Sequence, residues 1–369
     1  MGARVGRWIA IGVALAAAAG CAAVGADLPY YWQSARGHLA LMRQARPIVD
    51  LLQDGAVDAG LRPRLERALQ IREFASRELA LPDNGSYTRY ADLARPFVVW
   101  NVFATPELSM KLRQWCFPVA GCVSYRGYFE REEAERYAAE LRADGWEVHL
   151  AGVPAYSTLG WFDDPVLSTF IRYPEGELAR LLFHELSHQV VYLKGDSTFN
   201  ESFATAVEEA GVERWLAARG DAQLDAAYRQ FAQRRREFVA LLIRHKKALE
   251  AVYAEAADDA ARRAGKAAVF AALQSEYRDL KASWGGWAGY DRWFAQPLTN
   301  AHLASVATYN ALVPAFRGLL AAQGGDLPRF YDSVRELARL PKAERERRLA
   351  EASGDAPRAM TIDDGGGGR

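Results

Sequence analysis

A short apolar segment of the chain contains two histidines, His184 and His188, four residues apart and with Glu185 between them. Residues at this spacing lie one turn apart on the same face of a helix, so both imidazoles can bind one metal ion. Imidazole nitrogens are common ligands of Zn²⁺, and a neighbouring carboxylate can take a proton from the attacking water. Large aliphatic residues surround the three side chains and predict a buried helix: Leu181, Leu182, Leu186, Val190 and Val191. The alternative is a pair of structural histidines on a helix.

A third metal ligand is expected further along the chain, because a catalytic zinc commonly has three protein ligands and one open position. Glu201 and Glu208 are the candidates. They lie seven residues apart, or about 10 Å along a helix axis, so only one of them can contact the metal. Thr198 and Glu201 also fit a capping box, which would turn Glu201 back to the helix N-terminus. A helical hairpin that turns near Asp196 would bring Glu208 closer to the histidines than Glu201.

The segment around Glu201 resembles a known metallopeptidase signature. Residues 200–204 read NESFA, and Glu208 follows seven residues after Glu201. This pattern is similar to that of the gluzincin metallopeptidases, in which an H-E-x-x-H helix precedes an N-E-x-F-A segment. The resemblance implies that Glu201 is the third zinc ligand, and we expect Glu208 to orient a ligand histidine. Twelve residues separate His188 from Glu201, fewer than in that family.

A narrower resemblance covers most of the mature chain. Residues 155–165, the two metal-ligand segments and residues 304–316 are similar to predicted aminopeptidases that occur as envelope lipoproteins in Gram-negative bacteria. The resemblance implies a zincin-like fold and a peptide substrate. It also makes Tyr309 the candidate donor to the developing oxyanion, with His302 as the second choice. For both side chains a purely structural role is the alternative.

The segment before the metal helix is the candidate substrate site. In gluzincins, an open sheet edge at this place pairs with the substrate backbone, and strand addition of this kind tolerates many peptide sequences. The resemblance therefore assigns substrate binding to four residues: Tyr156, Ser157, Thr158 and Gly160. An ordinary surface loop is the alternative.

The N-terminus predicts export from the cytoplasm. Arg4 and Arg7 precede an apolar run over residues 8–19, as in a secretory signal peptide. Residues 18–21 (AAGC) resemble a bacterial lipobox, which implies cleavage before Cys21, lipidation of its sulfur and a lipid anchor to the membrane. Because Ala22 is not Asp, the resemblance implies an outer-membrane lipoprotein that faces the periplasm. Simple secretion, or a Cys that occurs there by chance, is the alternative.

The remaining two cysteines, Cys116 and Cys122, are expected to form a disulfide across a turn in an oxidising compartment. Two buried thiols are the alternative. The formal net charge of the chain is zero, which speaks against a nucleic-acid-binding surface.

The periodicity of apolar residues predicts an α+β fold that is mainly α-helical, with a small mixed sheet before the metal helices and a helical C-terminal region. Predicted strands cover residues 97–103, 115–117, 123–129 and 146–153. Predicted helices cover residues 37–53, 61–79, 130–144, 176–218 (two helices, the first ending near 194–195), 224–281, 300–321 and 327–351. The charges of 224–281 are interpreted as a solvated face.

Five regions follow from these patterns: a lipoprotein signal peptide (1–20), an N-terminal helical region (21–95), a sheet with the zinc helices (96–220), a helical C-terminal region (221–360) and a disordered tail (361–369).

The expected function is zinc-dependent hydrolysis of peptide bonds at the cell envelope, with one Zn²⁺ per chain and Glu185 as the base. The resemblance narrows this function to an aminopeptidase. The G-x-M-E-N segment that holds the substrate amine in aminopeptidase-N relatives is absent, and Asp163 or Asp164 could replace it. A non-catalytic zincin-fold lipoprotein that binds or scaffolds, and a zinc hydrolase of a non-peptide amide, stay open as alternatives. The oligomeric state stays open as well.

Overall fold

The computed structural model describes residues 28–55, 57–117, 121–155 and 157–353 of the 369-residue chain. The predicted signal peptide, Cys21, Tyr156 and the predicted tail at 361–369 lie outside these residues. None of the helices in the described part combines the length and the hydropathy that a membrane span requires.

Helices dominate the fold and three small sheets accompany them, which confirms the α+β, mainly helical prediction. The helices are α1 (28–44), α2 (Ile48–Gln53), α3 (Arg62–Leu79), α4 (Arg131–Ala143), α5 (Glu175–Ser187), α6 (Ser197–Arg219), α7 (Ala222–Glu255), α8 (Asp259–Ser283), α9 (Asp291–Phe294), α10 (Asn300–Asn310), α11 (Val313–Ala322), α12 (Leu327–Arg339) and α13 (Lys342–Ser353). The strands are β1 (Arg46–Pro47), β2 (Arg89–Ala91), β3 (Val99–Thr105), β4 (Trp115–Phe117), β5 (Gly121–Val123), β6 (Arg126–Tyr128), β7 (Glu147–Val153) and β8 (Val166–Leu167).

The prediction of one mixed sheet before the metal helices is wrong. Strands β6, β3 and β7 form a purely antiparallel sheet in which Val99 pairs with Val153 and Thr105 with Glu147. Strands β4 and β5 form a separate hairpin, because the predicted strand 123–129 is interrupted at 124–125 and its two halves pair with different partners. The mixed sheet is instead built from the short strands β1, β2 and β8.

Several predicted helices are broken by specific residues. The helix predicted over 37–53 is interrupted at Arg46–Pro47, because this dipeptide pairs as a strand with β2 and Pro47 cannot donate a helical hydrogen bond. Helix α1 also begins earlier than predicted, because residues 28–36, which precede the predicted helix 37–53, are part of it.

The C-terminal predictions also joined helices that are separate. The regions 224–281, 300–321 and 327–351 each contain two helices. The side chain of Asp258 accepts a hydrogen bond from Ala261 N and caps the start of α8. Pro341 lies between α12 and α13, where it disfavours helical geometry at the residue before it.

Helices α5 and α6 pack closely and occupy the centre of the largest core cluster. A methyl group added to Gly211 of α6 would lie only 2.8 Å from side-chain atoms of Leu79 and Phe183. A larger residue at this position would therefore push the two helices apart, and their close approach fixes the relative position of all side chains between them.

The end of α5 differs from the prediction. The helix ends at Ser187 rather than near 194–195, and residues 188–196 form the connection to α6. The side chain of Asn200 holds this connection: its Oδ1 accepts from Leu193 N at 2.7 Å, and its Nδ2 donates to Leu193 O at 2.9 Å. Residues 190–192 (VVY) are β-branched or aromatic, which weakens their preference for a helix.

Candidate metal centre

The side chains of His184 on α5, His188 at its C-terminal end and Glu201 on α6 converge in a cavity with a volume of about 630 Å³. Nε2 of His184 lies 3.2 Å from Oε2 of Glu201, and Nε2 of His188 lies 3.8 Å from the same oxygen. All three ligand atoms lie within 4.8 Å of one another. Ligand atoms of a tetrahedral zinc, each about 2.0–2.1 Å from the metal, are about 3.3 Å apart. The three side chains therefore fit a metal ion of this type with small adjustments.

The early end of α5 explains why Glu201, and not Glu208, lies beside both histidines. The middle of the connection is residue 192 and not Asp196, so the residues opposite the histidines fall at the start of α6. Asp196 is the N-cap of α6 and accepts a hydrogen bond from Phe199 N at 3.1 Å. Because Asp196 occupies this position, Glu201 does not form the capping box considered from the sequence.

Glu208 contacts the outer nitrogen of one ligand candidate. Its Oε2 lies 2.9 Å from Nδ1 of His184, and the residue is only 2 % exposed. Arg180 donates to both carboxylate oxygens at 2.9 and 3.1 Å, and Arg235 donates to Oε1 at 3.1 Å. An acceptor at Nδ1 favours the tautomer that leaves the Nε2 lone pair directed toward the metal position. In the described part of the chain, Nδ1 of His188 is buried without such a partner.

The electrostatics of the cluster favour a cation at its centre. Burial alone would lower the pKa of His184, but Glu201 and Glu208 raise it to about 10. Burial lowers the pKa of His188 to about 4, so this imidazole stays neutral and can act as a ligand. Although burial opposes the effect, Arg180 and Arg235 hold the pKa of Glu208 well below its usual range. The positive charge that the carboxylates place on His184 is the charge that a bound metal would supply instead.

Glu185 lines the same cavity and is 9 % exposed. Burial raises its pKa to about 7, and the charges of Glu201, Asp164 and Glu208 act in the same direction against that of His184. A carboxyl group whose pKa lies near neutral pH can both accept and return a proton during a reaction. Its position next to the ligand candidates follows directly from the helical spacing of the motif.

Comparison with known proteins identifies the family of this chain. Residues 29–349 match the family model described as "Putative aminopeptidase". The chain belongs to this aminopeptidase family. No curated protein and no solved structure gave a significant match. The family description suggests a peptidase, and the described residues supply a group that could hold a metal ion.

Three tyrosines line the same cavity as the metal-ligand candidates. Tyr309 lines the cavity, and its pKa is raised by burial and by the nearby charges of Glu201 and Glu185. Tyr125 and Tyr192 line the cavity as well, and the charge of Glu201 raises the pKa of each in addition to burial. Both come from irregular segments without any motif, so sequence reasoning did not single them out.

His302, the second choice for the oxyanion donor, does not line the cavity. Its Nδ1 accepts a hydrogen bond from Thr299 N at 3.1 Å and caps the start of α10, and its ring centroid lies 3.9 Å from that of His149. The assignment of His302 to the site is therefore wrong, because the residue is used for helix capping and core packing.

The predicted substrate segment is only partly at the cavity. Strand β7 is an edge strand that ends at Val153, and both Val153 and Ser157 line the cavity. Thr158 does not line it; its backbone N and its Oγ1 donate to Asp164 Oδ2 at 2.8 and 3.0 Å. Gly160 lies against the side chain of Gln189. The strand end thus contributes to the cavity wall together with Ser157 and Leu159 of the loop after it, while Thr158 and Gly160 contact Asp164 and Gln189.

The hairpin of β4 and β5 lies against the connection between the two ligand helices. Cys116 and Cys122 are paired directly across it and their sulfurs are bonded, with the Cα atoms 3.8 Å apart. A methyl group on Gly121 would lie 2.8 Å from Gly195 N, which shows how closely the hairpin approaches this connection. The hairpin also leads directly into Tyr125 at the cavity wall.

The interpretation of the charges of 224–281 as a solvated face is wrong for Arg235, which binds the buried Glu208, whereas Arg236 at the same cavity is exposed to solvent as predicted. Arg235 and Arg236 of α7 line the cavity, together with Val239, Ala240 and Ile243 of the same helix. Charge on a long helix says nothing about which turn will face a cavity formed by other elements, so no sequence signal separates these arginines from their neighbours.

Proposed function

We propose that this chain is a zinc-dependent peptide-bond hydrolase, and specifically an aminopeptidase, with a zincin-like arrangement of its ligand helices. The observation that carries the proposal is the convergence of His184, His188 and Glu201 within 4.8 Å, with Glu185 in the same cavity wall. Two histidines and one carboxylate are a common ligand set of hydrolytic zinc sites. The family description supports the peptidase reaction.

The residues of the chain would act as follows. Bound zinc supplies Lewis acidity and makes water a stronger nucleophile at neutral pH. Glu185 accepts a proton from the attacking water and returns it to the leaving amine, which its raised pKa allows. Glu208 keeps His184 in the orientation that ligation needs, through the contact at Nδ1. Tyr309 donates a hydrogen bond to the developing oxyanion, with Tyr125 at the same cavity as the rival donor.

We also propose that the protein is exported and anchored to the outer membrane through a lipidated Cys21, facing the periplasm. The support is the sequence of the first 22 residues: basic residues, an apolar run and the AAGC segment. Intact-mass analysis of the full chain purified from the envelope fraction tests this. An acylated N-terminal Cys21 is expected, and a chain that keeps residues 1–20 or carries an unmodified Cys21 would contradict it.

The same purified protein is expected to contain about one zinc per chain, to lose zinc and peptide hydrolysis on chelation, and to regain both when zinc is added. His188→Ala should remove the zinc, because it deletes one of the three ligands. His245→Gln on α7 is the matched control, since His245 contacts Leu241 O and Glu276 outside the cavity.

Peptides with free and acetylated N-termini separate the aminopeptidase from an endopeptidase. Cleavage limited to the free amine is expected. Zinc at full occupancy without hydrolysis of any peptide would support a binding or scaffold role instead, and absence of zinc would overturn the proposal.

A further inference from the structure

Four arginines line the same cavity as the metal-ligand candidates: Arg180 and Arg235, which are partly buried, and Arg236 and Arg317, which are exposed to solvent. Helix α6 lines the cavity with Glu201 beside both histidines, Glu208 between His184 and the pair Arg180 and Arg235, and Glu209 one residue further on. Because a helix rises 1.5 Å per residue, Glu209 lies about 12 Å along the axis from Glu201. Along α6, the arginines that face Glu209 therefore lie toward the C-terminal side of the metal-ligand group.

The nearby carboxylates do not pair with all four arginines. Glu208 binds Arg180 and Arg235 at hydrogen-bond distance, and Glu177 behind the wall also binds Arg180. Glu209 lies 3.9 Å from Arg235 and 3.6 Å from Arg317, which is too far for hydrogen bonds.

Among the four arginines, Arg236 has the fewest protein partners. No hydrogen bond or ion pair to Arg236 occurs within the described ranges, and the carboxylates of Glu209 and Glu237 act on it only at longer range. Guanidinium groups bind carboxylates through two parallel hydrogen bonds, and a cluster of them without a full set of partners favours an anionic ligand.

We propose that Arg235, Arg236 and Arg317 bind the C-terminal carboxylate of a short peptide whose scissile bond lies at the metal position. This inference rests on the proposed function and names its substrate class. An extended peptide advances about 3.3–3.6 Å per residue, so a peptide that runs along α6 from Glu201 to Glu209 needs three or four residues beyond the scissile bond to cover the axial offset of about 12 Å. The substrates are therefore oligopeptides of about four or five residues. Val239, Ile243 and Val313 line the cavity and give the intervening side chains an apolar wall.

Two of the arginines can be replaced without disturbing Glu208, so binding of a substrate carboxylate can be tested separately from the contacts that hold Glu208 in place. Arg236 and Arg317 make no hydrogen bond to Glu208, so the double variant Arg236→Gln/Arg317→Gln leaves the contacts of Glu208 intact. Arg234→Gln on the same helix is the matched control. Arg234 donates to Trp284 O, packs on the Trp287 ring and does not line the cavity.

The test measures binding and turnover of a tetrapeptide as its free acid, as its C-terminal amide, and as an amide with a Glu side chain at the last position. Calorimetric binding uses zinc-loaded full-length protein with Glu185→Gln, so that it does not depend on turnover. The acid is expected to bind at least about 10-fold more tightly than the plain amide, and this ratio should fall below about 2-fold in the double variant but not in Arg234→Gln. In the protein that keeps Glu185, the KM for the acid should be lower than the KM for the plain amide, and the double variant should reduce this difference.

The outcomes separate the two proposals. Equal binding of acid and amide overturns the carboxylate subsite even if peptides are hydrolysed. If the free acid binds much more tightly than the amide, if this difference depends on Arg236 and Arg317, and if no peptide is hydrolysed, the subsite is supported and the proposed function is overturned. Tight binding of the Glu-containing amide, equal to that of the acid, would assign the arginines to an acidic side chain instead of the C-terminus and would also overturn the limit on peptide length.

Discussion

Replacing Glu185 by Gln is expected to lower kcat for peptide hydrolysis by about 10²–10⁴-fold while the zinc content stays at that of the unchanged protein. Gln has nearly the shape of Glu but cannot accept a proton from water. Glu185 lies in the cavity wall and is not one of the three residues that could bind the metal, which are His184, His188 and Glu201. Steady-state kinetics and metal analysis of the same preparation measure both effects.

The same substitution should not weaken the fold at neutral pH. Burial raises the pKa of Glu185 from 4.5 to about 7, so its ionisation costs folding free energy that builds up between these two pH values and is nearly complete at neutral pH; the neutral amide avoids this cost. Denaturation curves therefore serve as the control for the kinetic result. Glu185→Gln with unchanged kcat would remove Glu185 from the reaction and require a different base.

Replacing Glu208 by Ala is expected to lower the free energy of unfolding by about 3–5 kcal/mol, because it leaves buried guanidinium groups without their carboxylate. Arg180 and Arg235 both donate to Glu208, whose side chain is 2 % exposed. His184 loses its Nδ1 partner at the same time, and the affinity for zinc should fall about 10–100-fold. Chemical denaturation and competition with a zinc chelator measure the two quantities separately.

Glu209→Ala provides the comparison for stability and zinc affinity. Glu209 is the next residue on α6, but its ion pairs are longer than hydrogen bonds, so a change in stability of no more than about 1 kcal/mol is expected. If Glu208→Ala does not fold, Glu208→Gln keeps an acceptor for Arg180 and still removes the charge. Unchanged zinc affinity in a folded Glu208 variant would show that His184 needs no support at Nδ1.

The parts of the site that share one helical face could be predicted from the sequence. The spacing of His184, Glu185 and His188 fixes their relative positions within one turn, whatever the rest of the chain does. The structure also places Glu201 beside both histidines and Glu208 at Nδ1 of His184, in the positions expected from the resemblance. Whether these residues bind zinc stays a prediction, as do the five regions assigned along the chain.

Long-range features could not be predicted in the same way. The connection after α5 is held by Asn200, which binds Leu193 from the following helix, and residues 190–192 give only a weak local signal for the end of α5. Tyr125 and Arg236 reach the cavity only because a hairpin and a long helix pack beside α5 and α6. Such neighbours are set by the packing of whole elements, and single-residue patterns do not encode it.

The short connection between α5 and α6 has a consequence for finding related sites in other genomes. Contacts in the core, such as Gly211 of α6 against Phe183 of α5, hold the two helices together in addition to the connection at 188–196. Insertions in that loop could lengthen the interval between His188 and Glu201 without moving either side chain. A search template that demands a fixed interval would then discard true relatives, whereas one that requires a small residue ten positions after the glutamate would keep them.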